Sequence, residues 1–559
     1  MFITFFGGRR VDMILSSCEN TATSRSCWGN YSIDTNYYDV FPDTGVIKEY
    51  WLSVENVTCA PDGYERYCLA FNGTVPGPQL TADWGDTLVI HVTNNMKYNG
   101  TSIHWHGVRQ LNTVDQDGVP GVSQCPIAPG ETFTYEFQVS QYGSTWYHSH
   151  FSLQYADGLF GPLIFNGPAT ADYDEDLGLL FVGDWSHTEI ETLWYTARQG
   201  VVPSMENGLL NGTNTYDCSG STDAKCLGTG TKFEMAFESG TTYRLRVINV
   251  ATEGHLDFSI DGHSFTVIAT DFVPIVPYET DSVLIGIGQR YDLIITANQT
   301  SGDYWIRGGW QTACANNQNA ANITGILRYD SSSTSDPTTT GLTTSTYCGD
   351  EPIASLVPWV PLNVTNIPNI TKEDLSFTFG SYFTWTINSS SLYLNWSDPT
   401  LLQITNNEDI FPTDYNVVSI EKTTSEADEW ALLVVQDLTG FGFHPLHLHG
   451  HDFWIVGQTT GTFDGTLSSL SLNNAPRRDV AALPANGYLA IAFKKDNPGS
   501  WLTHCHIAWH VSEGLALQFV ESQDEISLST VRQQALDDLC QSWDAFTPTE
   551  VFAQDDSGI

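Results

Sequence analysis

The sequence predicts an all-β protein of three sequential Greek-key β-sandwich units followed by a C-terminal extension. Three observations carry that expectation. Strand-like runs punctuated by Gly, Pro and Asn dominate the chain, and long helical periodicity is scarce. One pattern then occurs three times: a Gly-led turn enters a Trp-bearing strand at residues 143–146, 302–305 and 499–501. Each is followed by an apolar strand, LFGPLIF at 159–165, GILRY at 325–329 and GLALQFV at 514–520. Finally, an alternating strand lies upstream of each: DTLVIHVTN at 86–94, TYRLRVIN at 242–249 and EWALLVVQD at 429–437. Repetition of one supersecondary unit is the mark of a tandem architecture.

In chain order, residues 1–17 carry apolar stretches too short for a signal peptide, with the arginines in the middle rather than at the start. They are set aside from the fold as a leftover pre-segment or a mis-set start. The first unit is expected over 18–168, ending near FNGPAT. The second runs over 169–345 and closes on the Ser/Thr-rich stretch 331–346, a surface linker. The third runs over 346–520. The extension 521–559 contains a predicted helix, DEISLSTVRQQALDDLCQSW.

Composition excludes several function classes. The 559 residues are 41% hydrophobic and 12% aromatic, enough for large cores, and the net charge is −43. Nucleic acid and anionic membrane are therefore poor partners, and no apolar run is long enough to span a bilayer. The cysteines number 11, and N-x-S/T sequons occur at Asn30, Asn56, Asn72, Asn99, Asn211, Asn298, Asn322, Asn363, Asn369, Asn388 and Asn395. Together they point to a secreted, extracellular, N-glycosylated and disulfide-bonded protein, which is expected to be a monomer.

The chemistry concentrates at WLTHCHIAWHVSEGL, residues 501–515. Side chains alternate faces along a strand, so Cys505 points one way and His504 and His506 the other. One strand then serves two metal sites. Cys505 with His510 is half of a blue-copper pattern, in which a soft thiolate and imidazoles hold the metal. Three more pairs share the i, i+2 spacing: His104 and His106, His148 and His150, His447 and His449, with His444 just before the last. One H-x-H pair is weak, but four with an interleaved cysteine are specific. Zinc stays open by ligand type, yet a mononuclear zinc site needs only four ligands. The three units carry unequal chemistry. Ser149 in the first stands where the third has Cys505, and WIRGG in the second has no histidine. Pairs from units one and three must therefore meet at an interface.

These motifs, HWHG, WYHSH, HPLHLHGHDF and HCHIAWHVSEGL, resemble the four copper signatures of the multicopper oxidases, and among them the ascomycete type of fungal laccase. The resemblance runs from about Cys18 to the terminal DSGI. It implies three cupredoxin-like domains and four copper ions: one type 1, one type 2 and two type 3. It implies type 1 ligands His444, Cys505 and His510, with Leu515 at the axial position as a non-ligand. It implies type 2 ligands His104 and His447. One type 3 copper would take His106, His148 and His506, the other His150, His449 and His504. His451, His91, His187 and His263 match no ligand position. A leucine in place of a soft axial donor should raise the type 1 potential.

The resemblance further implies that phenols meet the edge of His510, that Glu253 accepts the phenolic proton, and that Val202, Pro203, Phe383 and Trp385 wall the pocket, with Phe441 and Phe443 nearby in sequence. Gly254 and His255 follow Glu253 where the family often has Asn first, which leaves the fine shape of the pocket open. Asp117 matches a carboxylate beside the oxygen-reducing cluster, although its Asp-Gly setting is also a common turn. The disulfides implied are Cys18–Cys27, Cys125–Cys540 and Cys314–Cys348; elimination leaves Cys59–Cys68 and Cys218–Cys226. The chain ends at Asp556, Ser557, Gly558 and Ile559, which the resemblance reads as a processed terminus that plugs the channel to the cluster. The function implied is one-electron oxidation of phenolic, diphenolic and lignin-related substrates, coupled to four-electron reduction of dioxygen to water, with lignin degradation as one setting. The alternatives are a ferroxidase or bilirubin-oxidase-like enzyme, and a copper-storage protein without turnover.

Overall fold

The computed structural model describes residues 18–342, 347–367, 370–387, 389–422, 429–549 and 554–559. The segment 1–17, the end of the linker at 343–346, and the sequons at Asn369 and Asn388 lie outside the described residues.

The same topology occurs three times. In the second unit, one sheet runs in the order Asn207–Leu210, Glu175–Trp185, Thr242–Asn249, Arg290–Thr296, Phe265–Thr270, Val273–Thr280. In the third, the corresponding order is Phe383–Ile387, Ile370–Phe379, Trp430–Asp437, Gly487–Lys494, Phe453–Thr460, Arg477–Arg478. The first unit keeps a shorter version: Arg66–Phe71, Ile47–Cys59, Thr87–Asn94, Thr132–Gln138. In each unit the second and third strands of that order pair in parallel and the flanking pairs are antiparallel. A second sheet packs on each, and the strands read from the sequence repeat take equivalent places in all three. In the second unit the side chains of both sheets share one buried cluster, Leu245, Val247, Leu256, Phe258 and Ile306 among them.

Burial patterns separate ordinary strands from those that carry the chemistry. Thr87–Asn94 alternates, with Leu88, Ile90 and Val92 inward and the intervening residues half-exposed, as expected for a sheet wet on one face. By contrast Gly143–Ser149, His444–Leu448 and Gly499–Cys505 are buried along their whole length. Their second faces are covered where units one and three meet, and the two faces of one strand can then hold different chemistry.

The C-terminal helix is Thr530–Phe546, and it begins later than the sequence reading placed it. Ser529 caps it, its hydroxyl accepting the Arg532 N–H, as capping serines do. Leu536, Leu539, Cys540 and Trp543 line its buried face and join the core of the first unit. The five cysteine pairs are Cys18–Cys27, Cys59–Cys68, Cys125–Cys540, Cys218–Cys226 and Cys314–Cys348. Cys505 is the free cysteine among the described residues, and it is buried.

Candidate metal centres and substrate cavity

Eight histidines converge where units one and three meet. Ile103–Trp105 and Gly143–Ser149 pair with His104 opposite His148. His444–Leu448 and Gly499–Cys505 pair with His447 opposite His504. The rings of His150, His449 and His504 lie 5.1–5.3 Å apart, centroid to centroid. Those of His106, His148 and His506 lie 5.1–5.7 Å apart. Nε2 of His104 and Nε2 of His447 face each other at 3.5 Å.

Hydrogen bonds outside the cluster fix which nitrogen faces inward. Nδ1–H of His104 donates to the Asp117 carbonyl at 2.9 Å, and Nδ1–H of His447 to the Asp479 carbonyl at 2.8 Å. His148 and His504 use Nδ1 on the carbonyls of Ser149 and Cys505. His449 uses Nδ1 on Oδ2 of Asp117 at 2.9 Å. A carbonyl only accepts, so these tautomers leave Nε2 as a bare lone pair. Nε2 of His148, His449 and His504, and both ring nitrogens of His150 and His506, are buried with no protein partner. Burial, with the neighbouring imidazoles adding, holds His106, His148, His150, His447 and His449 well below the usual histidine range. Each buried polar atom left unpaired costs about 1–3 kcal/mol. A row of convergent, neutral, unpaired nitrogens is the donor set a metal cluster requires.

The mononuclear site lies on the other face of the same strand. Sγ of Cys505 is 3.7 Å from Nδ1 of His444 and 3.5 Å from Nδ1 of His510, and the two nitrogens are 3.1 Å apart. Nε2–H of His444 donates to the Phe441 carbonyl at 2.8 Å, which turns its Nδ1 toward the sulfur. Burial pushes the Cys505 thiol up, so a thiolate here needs a cation beside it, and the soft sulfur with two imidazoles fits copper. Leu515 is buried in the same cluster as Cys505. The strand stops at Cys505, and the short helix Ala508–Ser512 returns His510 toward the sulfur. From the sequence the flanks of this stretch read as strand, and between them the structure places a turn of helix.

His510 opens onto a cavity of about 280 Å³. Every wall residue expected from sequence lines it: Val202, Pro203, Glu253, Phe383, Trp385, Phe441 and Phe443. Val202 and Phe441 are 58% and 60% exposed, which places them at the mouth, while Phe383 and Trp385 are deep. Glu253 sits in a turn whose backbone N–H groups, those of Thr252, Glu253 and Gly254, all donate to the Asp184 carboxylate. Its Oε2 accepts the Trp509 indole N–H at 3.1 Å. Burial pushes its carboxyl up to about 8; the indole opposes that and the Asp184 charge adds to it.

Asp117 is both turn and site. It follows the single turn Val114–Gln116, and Gly118 after it has φ +83°. A Cβ at 118 would collide with the Ile103 carbonyl, so the glycine lets Asp117 reach two histidines at once. Its Oδ1 is 3.2 Å from Nδ1 of His104.

The terminal residues are buried. Ile559 packs with Val119, Val122, Leu394 and Leu502. Ser557 is tied to the 508–512 helix, its N–H on the Ser512 carbonyl at 3.0 Å and its hydroxyl on the Val511 carbonyl at 2.7 Å. The Trp396 indole donates to the Gly558 carbonyl at 2.7 Å. The Asp556 carboxylate accepts from the Ser152 hydroxyl, next to the WYHSH histidines.

Sequence reasoning missed Asp479, Asp184, Trp509 and Glu513. Asp479 holds Arg290 through both carboxylate oxygens, and its Oδ1 lies 3.3 Å from Nε2 of His106. Of the other histidines, His187 pairs with Asp62, His451 with Glu521, His263 with Tyr329 and His91 with Glu49, while the buried His255 lines the cavity with neither ring nitrogen in a well-formed hydrogen bond.

The multicopper oxidase family matches residues 53–170, 176–332 and 393–525. Laccase-2 of Botryotinia fuckeliana is 65% identical over 97% of this chain and 94% of its own, and Laccase-1 of the same fungus is 58% identical over the same shares. The crystal structure of the laccase from Botrytis aclada superposes with a TM-score of 0.95 at 63% identity, covering 97% of this chain and all of that one. With the donor geometry above, these matches establish that the chain belongs to the multicopper oxidase family, in its fungal laccase type.

Proposed function

We propose that this chain is a laccase, oxidising phenolic substrates, diphenols and lignin-related phenols among them, one electron at a time and reducing dioxygen to water. The observation that carries the reading is Cys505 and its two neighbours on one buried strand. Cys505 faces a mononuclear donor set whose outer histidine opens on an aromatic cavity, and His504 and His506 face the histidine cluster. His444, Cys505 and His510 would hold the type 1 copper, with Leu515 beside them as a non-ligand. His104 and His447 would hold the type 2 copper, His106, His148 and His506 one type 3 copper, and His150, His449 and His504 the other. When bound, the coppers supply one-electron acceptance at the first site and four-electron delivery to dioxygen at the second.

The chain's own residues do the rest. The aromatic walls hold the phenol ring against His510, and Glu253, in its ionised form, takes up the phenolic proton as the electron leaves. Cys505 is bonded in sequence to His504 and His506, so a few covalent bonds join the two sites. Asp117, touching His104 and His449, supplies protons to the cluster, and the terminal residues 556–559 act as a plug on its solvent channel. Five disulfides, many sequons and the acidic charge fit a secreted, glycosylated monomer. A ferroxidase would need anionic, solvated carboxylates beside His510 to bind Fe(II). The carboxyls here are buried among aromatic rings, which favours the neutral phenol.

Metal analysis of the loaded protein should give four coppers per chain with an intense blue colour. Cys505→Ser should lose the colour and the oxidation of phenols, because serine supplies no soft ligand. One or two metals per chain, or zinc alone, sinks the reading. Oxygen uptake with a diphenol should exceed that with Fe(II), and the reverse order would turn the assignment to a ferroxidase.

A further inference from the structure

The cavity contains a second acid that phenol oxidation as described does not use. Glu513 caps the helix Ala508–Ser512, three residues after His510. A spacing of three on a helical turn puts both on one face, and both side chains line the cavity. The Trp385 N–H holds the Glu513 carbonyl at 2.9 Å, which fixes the residue. Its carboxyl lies beside the Trp385 indole, and its Oε1 is buried without a well-formed hydrogen bond. Such an atom costs about 1–3 kcal/mol, and in a binding cavity a ligand's donor recovers that cost. Glu253 stands in the same cavity with one oxygen on the Trp509 indole, and neither Lys nor Arg lines the space.

We propose that Glu513 is a second substrate-binding group, accepting a hydrogen bond from a second donor on the ring, so that the pocket selects aromatics with two donors. Diphenols, aminophenols and aromatic diamines fit that description. One donor meets Glu253 and the other Glu513. An aromatic carboxylate fits badly, since it would lose water and gain no cation. The proposal rests on the phenol-oxidising reading above, and it names that reaction's substrate class.

The test compares hydroquinone with its monomethyl ether, and both with a hydroxycinnamic acid, on the copper-loaded parent and on Glu513→Ala and Glu513→Gln, by oxygen uptake. Methylation also shifts the substrate's own potential, but that cancels when the ratio of kcat/KM on the parent is divided by the ratio on a variant. The diphenol-to-ether ratio should fall about tenfold in Glu513→Ala, mainly through KM. Glu513→Gln, which keeps an acceptor oxygen, should restore most of it. Copper content and blue absorption report that each variant is loaded. If Glu513→Ala does not load, Glu513→Met takes its place in the same comparison. An unchanged ratio, or a parallel loss on both substrates, overturns the proposal. A loaded parent that takes up no oxygen with either phenol overturns the phenol-oxidising reading itself, and this proposal with it.

Discussion

Glu253 is held where a charge is expensive, and that has two separable consequences. Burial raises its carboxyl to about 8, against roughly 4.3 in an unfolded chain. Between those values the folded protein binds the proton and the unfolded chain does not, so stability falls as pH rises through the window. Glu253→Gln removes the effect. The stability of the variant relative to the parent, from thermal unfolding, should therefore be near zero at pH 4 and clearly positive by pH 9, by at least ~1 kcal/mol. A difference that does not change with pH would show that the carboxyl is not buried as described. The second consequence is catalytic. Glu253→Ala should lower kcat/KM for phenols roughly tenfold or more, with less effect on a donor that has no proton to lose. Equal loss on both would make Glu253 structural. The role of Glu253 could be read only through family resemblance, since one glutamate in a loop carries no pattern. Asp184, which holds the turn of Glu253, was illegible for the same reason: its three N–H partners lie 68–70 residues away in the chain.

At the scale of elements, the legible parts were those with a short period. H-x-H on a strand puts both rings on one face, so the histidine pairs and the two-faced Cys505 strand could be read from spacing alone. The turn of helix at Ala508–Ser512 could not. Its five residues are too few for a helical pattern, and the strand on either side masks it. Had it been recognised, the three-residue offset of Glu513 from His510 would have pointed to the cavity. The Asp117 turn makes a prediction at this scale. Gly118→Ala forces a left-handed residue and a clash with the Ile103 carbonyl, each strained on its own. Asp117 should then lose its place beside His104 and His449. The expected outcome is reduced copper in the trinuclear cluster and weakened cluster spectra, with the blue type 1 absorption retained. Full copper loading with parental spectra would show that the turn does not position Asp117.

For the whole molecule, the three-fold repeat was legible because each unit reuses the same strand signals, whereas the position of the chain's end could be read only through the family resemblance, because it depends on a helix docking far from its sequence neighbours. Thr530–Phe546 lies on the first unit, fastened there by Cys125–Cys540 and by Trp543 in its core. From that anchorage the chain returns to the junction of units one and three, where Asp556 meets Ser152 and Ser557 meets the helix that carries His510. Ile559 fills an apolar throat between Val119 and Val122, in the loop after Asp117, and Leu502, on the strand of Cys505. The terminal residues thus touch both the helix that carries His510 and Leu502, which lies on the strand of Cys505. Deleting residues 556–559 should expose the throat to water, change oxygen turnover and cluster spectra, and lower the thermal midpoint through loss of Ile559 packing, a buried side chain of about 1.5–3 kcal/mol. The type 1 potential should stay nearly constant, because no ligand of that copper is removed. If the truncated enzyme equals the parent in turnover, stability and cluster spectra, the end of the chain is only packed there and does not plug the channel.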